Sequence, residues 1–177
     1  MLSPEIADIL EELNAVLEKL SREDVERAAE CIMTHERVFV GGAGRSGLML
    51  KAFAMRLMQM GKTVYVAGET VTPAVEEGDM VFLASASGAT HSVLHYAETA
   101  KQVGADLFVV TASEDTPLAA IHPADVILPC GSKDQPNGSG QVMGSLFEQA
   151  LLLYCDAVVQ SLPADPERMR RRHANLE

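Results

Sequence analysis

GGAGRSG at residues 41–47 and SASGAT at residues 85–90 are the two segments that decide the fold. Each follows an apolar, β-branched run and precedes a run with helical spacing, which indicates a strand, a tight turn and a helix. In such a turn the backbone N–H groups, the hydroxyls and the positive end of the helix dipole can converge on an anion. Two such turns in one chain predict a phosphorylated ligand, and a sugar phosphate is the first interpretation.

Apolar runs alternate with helical patterns along the middle of the chain. The predicted strands lie at residues 38–40, 63–67, 80–84, 107–111 and 126–128. These runs are continuously apolar, which is typical of strands that are covered on both faces of a parallel sheet. The sequence therefore predicts an α/β fold of the flavodoxin-like or Rossmann-like kind, a three-layer α/β/α sandwich with a five-stranded parallel sheet.

Two amphipathic helices precede the predicted sheet and are expected to pack on it. Ser3 is the expected N-cap of the first helix, and Ser21 with Asp24 predicts a capping box for the second, which should end near His35. The 177 residues are enough for one domain. We divide this single domain, 1–177, into a helical part over about 1–35, a sheet core over about 36–161 and a basic tail over 162–177.

The composition limits the partners and the location. The formal net charge is −11, with 14 Lys and Arg against 25 Asp and Glu, so we expect no nucleic-acid partner. Three cysteines without a C-x-x-C or metal-ligand spacing are typical of reduced thiols. The acidic N-terminal segment lacks the basic start and apolar core of a signal peptide, and no apolar run is expected to reach the length of a membrane span. We predict a cytoplasmic protein without a membrane partner.

Residues 42–47 also satisfy G-x-G-x-x-G, and Glu69 follows after the next strand, which is the pattern of a dinucleotide site. Arg45 and Ser46 add a cation and a hydroxyl that a pyrophosphate-binding turn does not need. The three hydroxyls of residues 85–90 provide neutral donors for a terminal phosphate at the start of a helix. This second segment decides against a dinucleotide.

The residues expected to bind the phosphate come from both segments: Gly44, Ser46, Ser85, Ser87, Gly88 and Thr90. The alternative role for these hydroxyls is ordinary N-capping of a helix, which needs no ligand. Arg45 is the cation expected to neutralise the phosphate or an enediolate, and its alternative role is that of a surface arginine. Glu69 and Thr70 lie at the carboxyl end of a strand, where α/β folds bind ligands, and are expected to line the sugar.

The Ser-x-Ser-Gly-x-Thr loop after an internal strand resembles the phosphate loop of the sugar isomerase (SIS) domain family. Further segments over nearly the whole chain resemble the members of that family that isomerise hexulose phosphates: GAGRSG, FAMRLMQMG, VYVAGETVTPA, GSLFEQALLLYCDAVV and MRRRHANLE. The resemblance implies interconversion of D-arabino-hex-3-ulose 6-phosphate and fructose 6-phosphate through a cis-enediol(ate), in the ribulose monophosphate pathway. It also implies that no metal or other cofactor takes part and that the enzyme is usually a tetramer. One departure is Gln59, where some members have a histidine.

Moving a ketone between neighbouring carbons of a sugar requires a base that removes a carbon-bound proton and returns it to the next carbon. Glu148 lies on the same helical stripe as Leu152, Cys155 and Val159, and is expected to be a lone carboxylate among apolar neighbours. Desolvation there should raise the pKa of Glu148 toward the operating pH, which suits a catalytic acid and base. The alternative is a carboxylate that stabilises the start of the helix.

Several segments predict contacts beyond this core. The helix at 48–60 has so little polar face that a second subunit is expected to cover it. A basic run such as that at 168–173 is usually a solvated tail, but the resemblance implies that it folds against a neighbouring subunit and places His173 there as a proton donor.

Residues 129–144 lack periodicity and are expected to form a mobile loop, a candidate lid. His91 and His95 stand at i and i+4 without a third ligand, so we expect no metal site.

Two other functions stay open from the sequence. The nearest is another isomerase of the same family, acting on arabinose 5-phosphate or sedoheptulose 7-phosphate. The other is a non-catalytic sugar-phosphate sensor, such as the effector domain of a transcription regulator, although the chain lacks a basic helix-turn-helix.

Overall fold

A computed structural model describes residues 2–134 and 139–176 of the chain. Its helices and strands, in chain order, are α1 (Pro4–Leu17), α2 (Arg22–Thr34), β1 (Arg37–Gly42), α3 (Gly44–Met60), β2 (Thr63–Val66), β3 (Met80–Ser85), α4 (His91–Val103), β4 (Asp106–Thr111), β5 (Val126–Ile127), α5 (Ser145–Ser161) and α6 (Pro166–Arg171). Two 3₁₀ turns, Pro117–Ala120 and Val142–Gly144, precede β5 and α5. All five predicted strands are present within two residues of their expected bounds.

The five strands form one parallel sheet in the order β2-β1-β3-β4-β5. Side chains alternate between the two faces, so Val40 and Phe82 point to one side while Phe39 and Leu83 point to the other. The first side is covered by α1, α2, α3 and α5, and the second by α4 and the turn at Pro117–Ala120. This confirms the predicted three-layer α/β/α sandwich.

The helix ends follow from local sequence. The Ser3 hydroxyl accepts a hydrogen bond from the Ile6 N–H, and Ser21 and Asp24 cap each other's backbone reciprocally, as predicted. Helix α3 ends at Gly61, whose φ of 105° lies in the left-handed region that favours glycine. Helix α2 ends one residue before His35, also as predicted.

The first glycine-rich segment is not a loop over its full length, contrary to expectation. Residues 41–42 close β1, and residues 44–47 are the first turn of α3, which was predicted to start at residue 48. Glycine allows this abrupt change, because a Cβ on Gly47 would lie 2.7 Å from the Gly42 carbonyl oxygen. Helix α3 therefore begins directly against the end of β1, with Arg45 and Ser46 in its first turn.

The expectation that no segment reaches the length of a membrane span is wrong. Val142–Ser161 is long and apolar enough to cross a membrane by length and composition. In the fold it is the helix α5 with the 3₁₀ turn before it, and Phe147, Leu151 and Val158 have no exposed surface in the core between the helices and the sheet. Burial within the protein explains its composition, so the segment does not indicate a membrane.

An ion pair between half-buried Arg37 and buried Asp79 closes the sheet at the amino ends of the strands. The Arg37 guanidinium donates to both oxygens of Asp79, at 2.6 and 2.5 Å, and the Glu76 N–H donates to the same carboxylate at 2.7 Å. Burial of Asp79 opposes its ionisation, but the hydrogen bonds from Arg37 and Glu76 outweigh burial and hold the pKa of this carboxyl below its ordinary value. Asp79 therefore stabilises the fold in its charged form.

We expect Asp79→Asn to lower the free energy of unfolding by about 2 kcal/mol at neutral pH, because the Arg37 guanidinium loses its charged partner. Asp79 has a lowered pKa in the folded state, so its contribution is full above about pH 5 and is lost as the pH falls through the folded pKa. Urea unfolding at several pH values measures this. The difference between wild type and variant should shrink toward acid, whereas exposed Asp8→Asn should change little at any pH; a pH-independent difference contradicts the assignment.

Candidate active site

A cavity of about 320 Å³ lies at the carboxyl ends of β1 and β3. The chain leaves β1 through α3 on one face of the sheet and leaves β3 through α4 on the other, which is the switch point where parallel α/β folds bind ligands. The lining residues come from the start of α3, the β3–α4 loop, residues 132–133 and the start of α5. They include the predicted residues Gly44, Arg45, Ser46, Ser85, Ser87, Thr90 and Glu148.

Within residues 2–134 and 139–176, three helices begin at this cavity and none of them has a side-chain cap. The N-cap residues are Ala43 for α3, Thr90 for α4 and Gly144 for α5. By contrast α1, α2 and α6 are capped by their own serine or aspartate side chains. Ala43 and Gly144 have no side-chain oxygen that could act as a cap, and the Thr90 hydroxyl does not cap α4. The first N–H groups of these helices are therefore available to an anion.

The β3–α4 loop is held in a conformation that turns its hydroxyls inward. The Ser85 and Thr90 hydroxyls lie 3.1 Å apart, and the Ser87 hydroxyl accepts a hydrogen bond from the Ala89 N–H at 3.2 Å. Gly88 has a φ of 57°, and a Cβ there would lie 2.5 Å from the Cβ of Thr116. Gly88 thus shapes the loop through its backbone, and it is not among the residues that line the cavity.

Glu148 is not the lone carboxylate that the sequence suggested. The Arg45 Nε donates to Glu148 Oε2, so the two side chains form an ion pair across the cavity. The Glu148 side chain is 12% exposed and that of Arg45 is 62% exposed. A guanidinium from the first turn of α3 compensates the charge of Glu148, a contact that helical spacing within α5 does not reveal.

The sequence analysis missed four residues of the cavity lining: Ser132, Lys133 and Met143 from the segment before α5, and Phe147 from the first turn of α5. Met143 has a φ of 59°, a left-handed conformation that costs a non-glycine residue free energy. Gly144 follows with a φ of 78°, and a Cβ there would lie 3.2 Å from the backbone N of Lys133. The predicted lid at 129–144 includes residues 135–138, which lie outside the described residues, so the lid stays a prediction.

Glu69 and Thr70 do not line this cavity. Glu69 accepts a hydrogen bond from Lys51 Nζ at 2.5 Å and lines an adjacent cavity of about 320 Å³ over the ends of β1 and β2. Thr70 is exposed beside it. Gly44 lines both cavities, so a ligand held at the start of α3 is next to the Lys51–Glu69 pair. Lys51 is a further polar residue that the sequence analysis missed.

His173 lies far from the cavity of its own chain. The Arg172 guanidinium packs against Gly61 at the end of α3, which is 17 residues and so roughly 25 Å from the start of that helix. His173 is exposed there, next to the Ala174 carbonyl. Gln59, the departure from the family pattern, is buried near the same end of α3, and its side-chain oxygen accepts from Arg56 at 2.9 Å. Neither residue can reach the cavity within one chain.

The family model of the SIS domain matches residues 32–152. The 3-hexulose-6-phosphate isomerase of Mycobacterium gastri is 47% identical over 165 residues, which cover 90% of this chain and 83% of that protein. The protein of the same name from Bacillus subtilis (strain 168) is 42% identical over 179 residues and 97% of each chain. The chain belongs to the SIS domain family.

A solved structure agrees with this membership. It is a hypothetical protein from Methanococcus jannaschii, for which a molecular function of 3-hexulose-6-phosphate isomerase was inferred. That structure matches this SIS domain with a TM-score of 0.77 and 29% identity, over 97% of this chain and 96% of the other. The predicted family resemblance is thereby confirmed.

Metal-binding side chains are not grouped in this SIS domain within residues 2–134 and 139–176: no three His, Cys, Asp or Glu side chains there are close enough to hold an ion together. The cysteines at 31, 130 and 155 are free thiols. Burial raises the pKa of Cys31 to about 11 and that of Cys130 to about 12, so neither is a thiolate at neutral pH.

We expect Thr90→Val to weaken binding of inorganic phosphate to this SIS domain by roughly tenfold to a hundredfold, since one hydroxyl donor to the anion is lost at constant shape. Isothermal titration calorimetry measures the effect. The matched control is Thr34→Val, because the Thr34 hydroxyl bonds two carbonyls of its own helix, α2, and the neighbouring His35 ring, and does not line the cavity. Equal phosphate affinity in wild type and Thr90→Val would contradict the assignment of the anion to this cavity.

Proposed function

We propose that this SIS domain is a 3-hexulose-6-phosphate isomerase, which interconverts D-arabino-hex-3-ulose 6-phosphate and fructose 6-phosphate. One observation carries the proposal: a carboxylate, a guanidinium and the uncapped starts of three helices line the same cavity. The helix starts and hydroxyls suit a phosphate, and the carboxylate suits a proton transfer on the attached sugar. Relatives that carry this enzyme name at 42 and 47% identity support the choice of sugar.

The phosphate end of the substrate is assigned to the β3–α4 loop and the start of α3. Hydroxyls of Ser46, Ser85, Ser87 and Thr90 and the N–H groups of the first helical turns would donate to its oxygens. Gly88 fixes the loop conformation behind them. With the phosphate bound in this way, the sugar carbons would lie on the side of the cavity where α5 begins, next to Glu148.

Glu148 is assigned the proton transfer. Its carboxylate removes the proton from C2 of the 3-ketose, and the electron pair of the broken C–H bond forms the C2–C3 double bond of an enediolate, whose charge is on O3. Return of the proton to C3 and transfer of the O2 proton to O3 give the 2-ketose. The reaction moves protons within the sugar and needs no external electron acceptor.

Arg45 has two roles in this proposal. Without substrate its guanidinium pairs with Glu148, which holds the carboxylate in place. A phosphate dianion and an enediolate both compete for the same guanidinium. When substrate binds, Arg45 therefore turns toward the new negative charge and leaves Glu148 free to accept a proton. The large exposed fraction of the Arg45 side chain, 62%, gives it room for this movement.

The further expectations from the sequence also belong to the proposal. We place the enzyme in the cytoplasm as a homotetramer, without nucleic-acid or membrane partners and without a cofactor. Leu48, Met55 and Met58 are exposed on α3, and a second subunit covering them would remove this apolar surface from water.

His173 and the basic tail lie near the end of α3, whereas the cavity of the same chain lies at the start of that helix. We therefore assign His173 to the cavity of a neighbouring subunit as proton donor. Glu69 and Thr70 remain candidates for the far end of the sugar.

We expect Glu148→Gln to lower kcat by about a thousandfold while binding of fructose 6-phosphate changes little, because the amide cannot accept the C2 proton. NMR in deuterated water follows deuterium entering the carbon skeleton of fructose 6-phosphate. Exposed Glu98→Gln on α4 is the matched control. Arabinose 5-phosphate and sedoheptulose 7-phosphate are tested in parallel, and turnover of either at a higher kcat/KM than the hexulose would replace the substrate named here.

The assignment of His173 to a neighbouring subunit predicts complementation. Glu148→Gln and His173→Ala should each be nearly inactive as pure proteins, yet mixed oligomers should recover about a quarter of wild-type activity, because random assembly gives one site in four both intact residues. Activity after co-refolding the two variants measures this. If His173→Ala alone keeps full activity, or the mixture stays inactive, His173 has no catalytic role in a neighbour.

A further inference from the structure

Helix α1 contacts the segment that leads into α5 through one carboxylate, that of Glu12. Its Oε2 accepts hydrogen bonds from the Ser139 hydroxyl at 2.7 Å and from the Gln141 side-chain amide at 3.1 Å. Its Oε1 accepts from the Gly140 N–H at 2.7 Å. Three consecutive residues of the segment are thus held by a single side chain from a helix 127 positions earlier in the chain.

The three donors keep this carboxylate ionised. Glu5, Asp8 and Glu11 of the same helix line a groove together with Glu12. Desolvation by burial opposes the ionisation of Glu12. The hydrogen bonds from Ser139 and Gly140 nevertheless lower the pKa of Glu12. Arg45 is the cation among the residues that line the groove, and it lies at the end where the groove meets the active-site cavity.

The residues held by Glu12 continue directly into the cavity wall. After Gln141 come the 3₁₀ turn Val142–Gly144, with Met143 in its left-handed conformation, and the first turn of α5. Met143, Gly144 and Glu148 line the cavity. A strained residue such as Met143 keeps its conformation only where neighbouring contacts fix the backbone on both sides. On the side of α5 the Ser145 hydroxyl bonds the Val142 carbonyl at 2.8 Å, and on the other side the contacts are those of Glu12.

We propose that Glu12 is a positioning residue of the active site, which holds residues 139–141 so that Met143, Gly144 and the start of α5 form the cavity wall beside Glu148. The proposal rests on the function proposed above for its effect on turnover, but its effect on ligand binding and on the backbone does not. Glu12 touches no reacting atom. It acts through the segment 139–144, and this gives one side chain of the N-terminal helix an indirect role at the active site.

The test compares Glu12→Ala with Glu11→Ala, which removes the same charge from the neighbouring exposed position of α1. Three measurements are made on the full-length protein: hydrogen exchange of the peptide covering 139–144, the Kd for fructose 6-phosphate, and kcat/KM. Glu12→Ala should speed amide exchange in this peptide while exchange in β1 and β3 stays unchanged. It should weaken fructose 6-phosphate binding severalfold and lower kcat/KM by at least tenfold. Glu11→Ala should leave all three as in wild type.

Two further variants separate positioning from a general loss of stability. Ser139→Ala removes the hydroxyl that donates to Glu12. It should change hydrogen exchange, ligand affinity and kcat/KM in the same direction as Glu12→Ala, and in the double variant the two effects should not add. Glu12→Gln keeps an acceptor for the Gly140 N–H and should recover part of the ligand affinity. Unchanged exchange at 139–144 in Glu12→Ala, additive effects in the double variant, or a uniform rise in exchange across the sheet would each overturn the proposal.

The measurements also distinguish failure of this proposal from failure of the proposed reaction. If wild type binds fructose 6-phosphate without isomerising it, the proposed function is wrong, while hydrogen exchange and affinity still test Glu12. If wild type isomerises the sugar and Glu12→Ala does so equally well, the proposed function stands and the positioning role is wrong.

Discussion

The first N–H groups of α3, α4 and α5 converge on one crevice without side-chain caps, and the chemistry of the site depends on this arrangement. The N-cap residues Ala43 and Gly144 have no side-chain oxygen, and Thr90 does not use its hydroxyl for capping. The N–H groups of a first helical turn need hydrogen-bond partners, and in the proposed function the phosphate of the substrate would supply them. The parallel sheet produces the convergence, because β1 and β3 are neighbours whose following helices lie on opposite faces.

An anion site in a chain of net charge −11 also needs a local charge of the opposite sign. Arg45 supplies it from the first turn of α3, and its pairing with Glu148 leaves the cavity with no net charge from these two groups. In the proposed reaction, a free carboxylate at that position would repel the phosphate of the substrate. The pairing would then meet two requirements of the same cavity, attraction for a dianion and a base next to the sugar.

The sequence predicted features that depend on neighbouring residues and missed those that depend on the fold. The caps at Ser3 and Ser21, the strands and the serine loop are local patterns, in which hydrogen bonds join residues a few positions apart. The Arg45–Glu148 pair joins residues 103 positions apart, and the contact of Glu12 with Ser139 spans 127. Periodicity on one helix cannot show what the opposite wall contributes, which is why Glu148 was expected to lack a partner. Glu69 was predicted from its strand end, and the structure places it in the adjacent cavity.

The amino ends and the carboxyl ends of the strands differ in how completely the polar groups near them are hydrogen-bonded. At the amino ends of the strands Arg37 and Asp79 satisfy each other, and His35 bridges the Cys31 carbonyl and the Asp106 carboxylate at 2.7 and 2.8 Å. These contacts stabilise the fold at the amino ends of the strands. At the carboxyl ends, helix starts lack caps and Met143 holds a strained backbone conformation. A strained or unpaired group persists only where the rest of the structure is stable enough to hold it. We infer that the fully paired contacts at the amino ends of the strands offset the cost of the uncapped helix starts and of Met143 at the carboxyl ends.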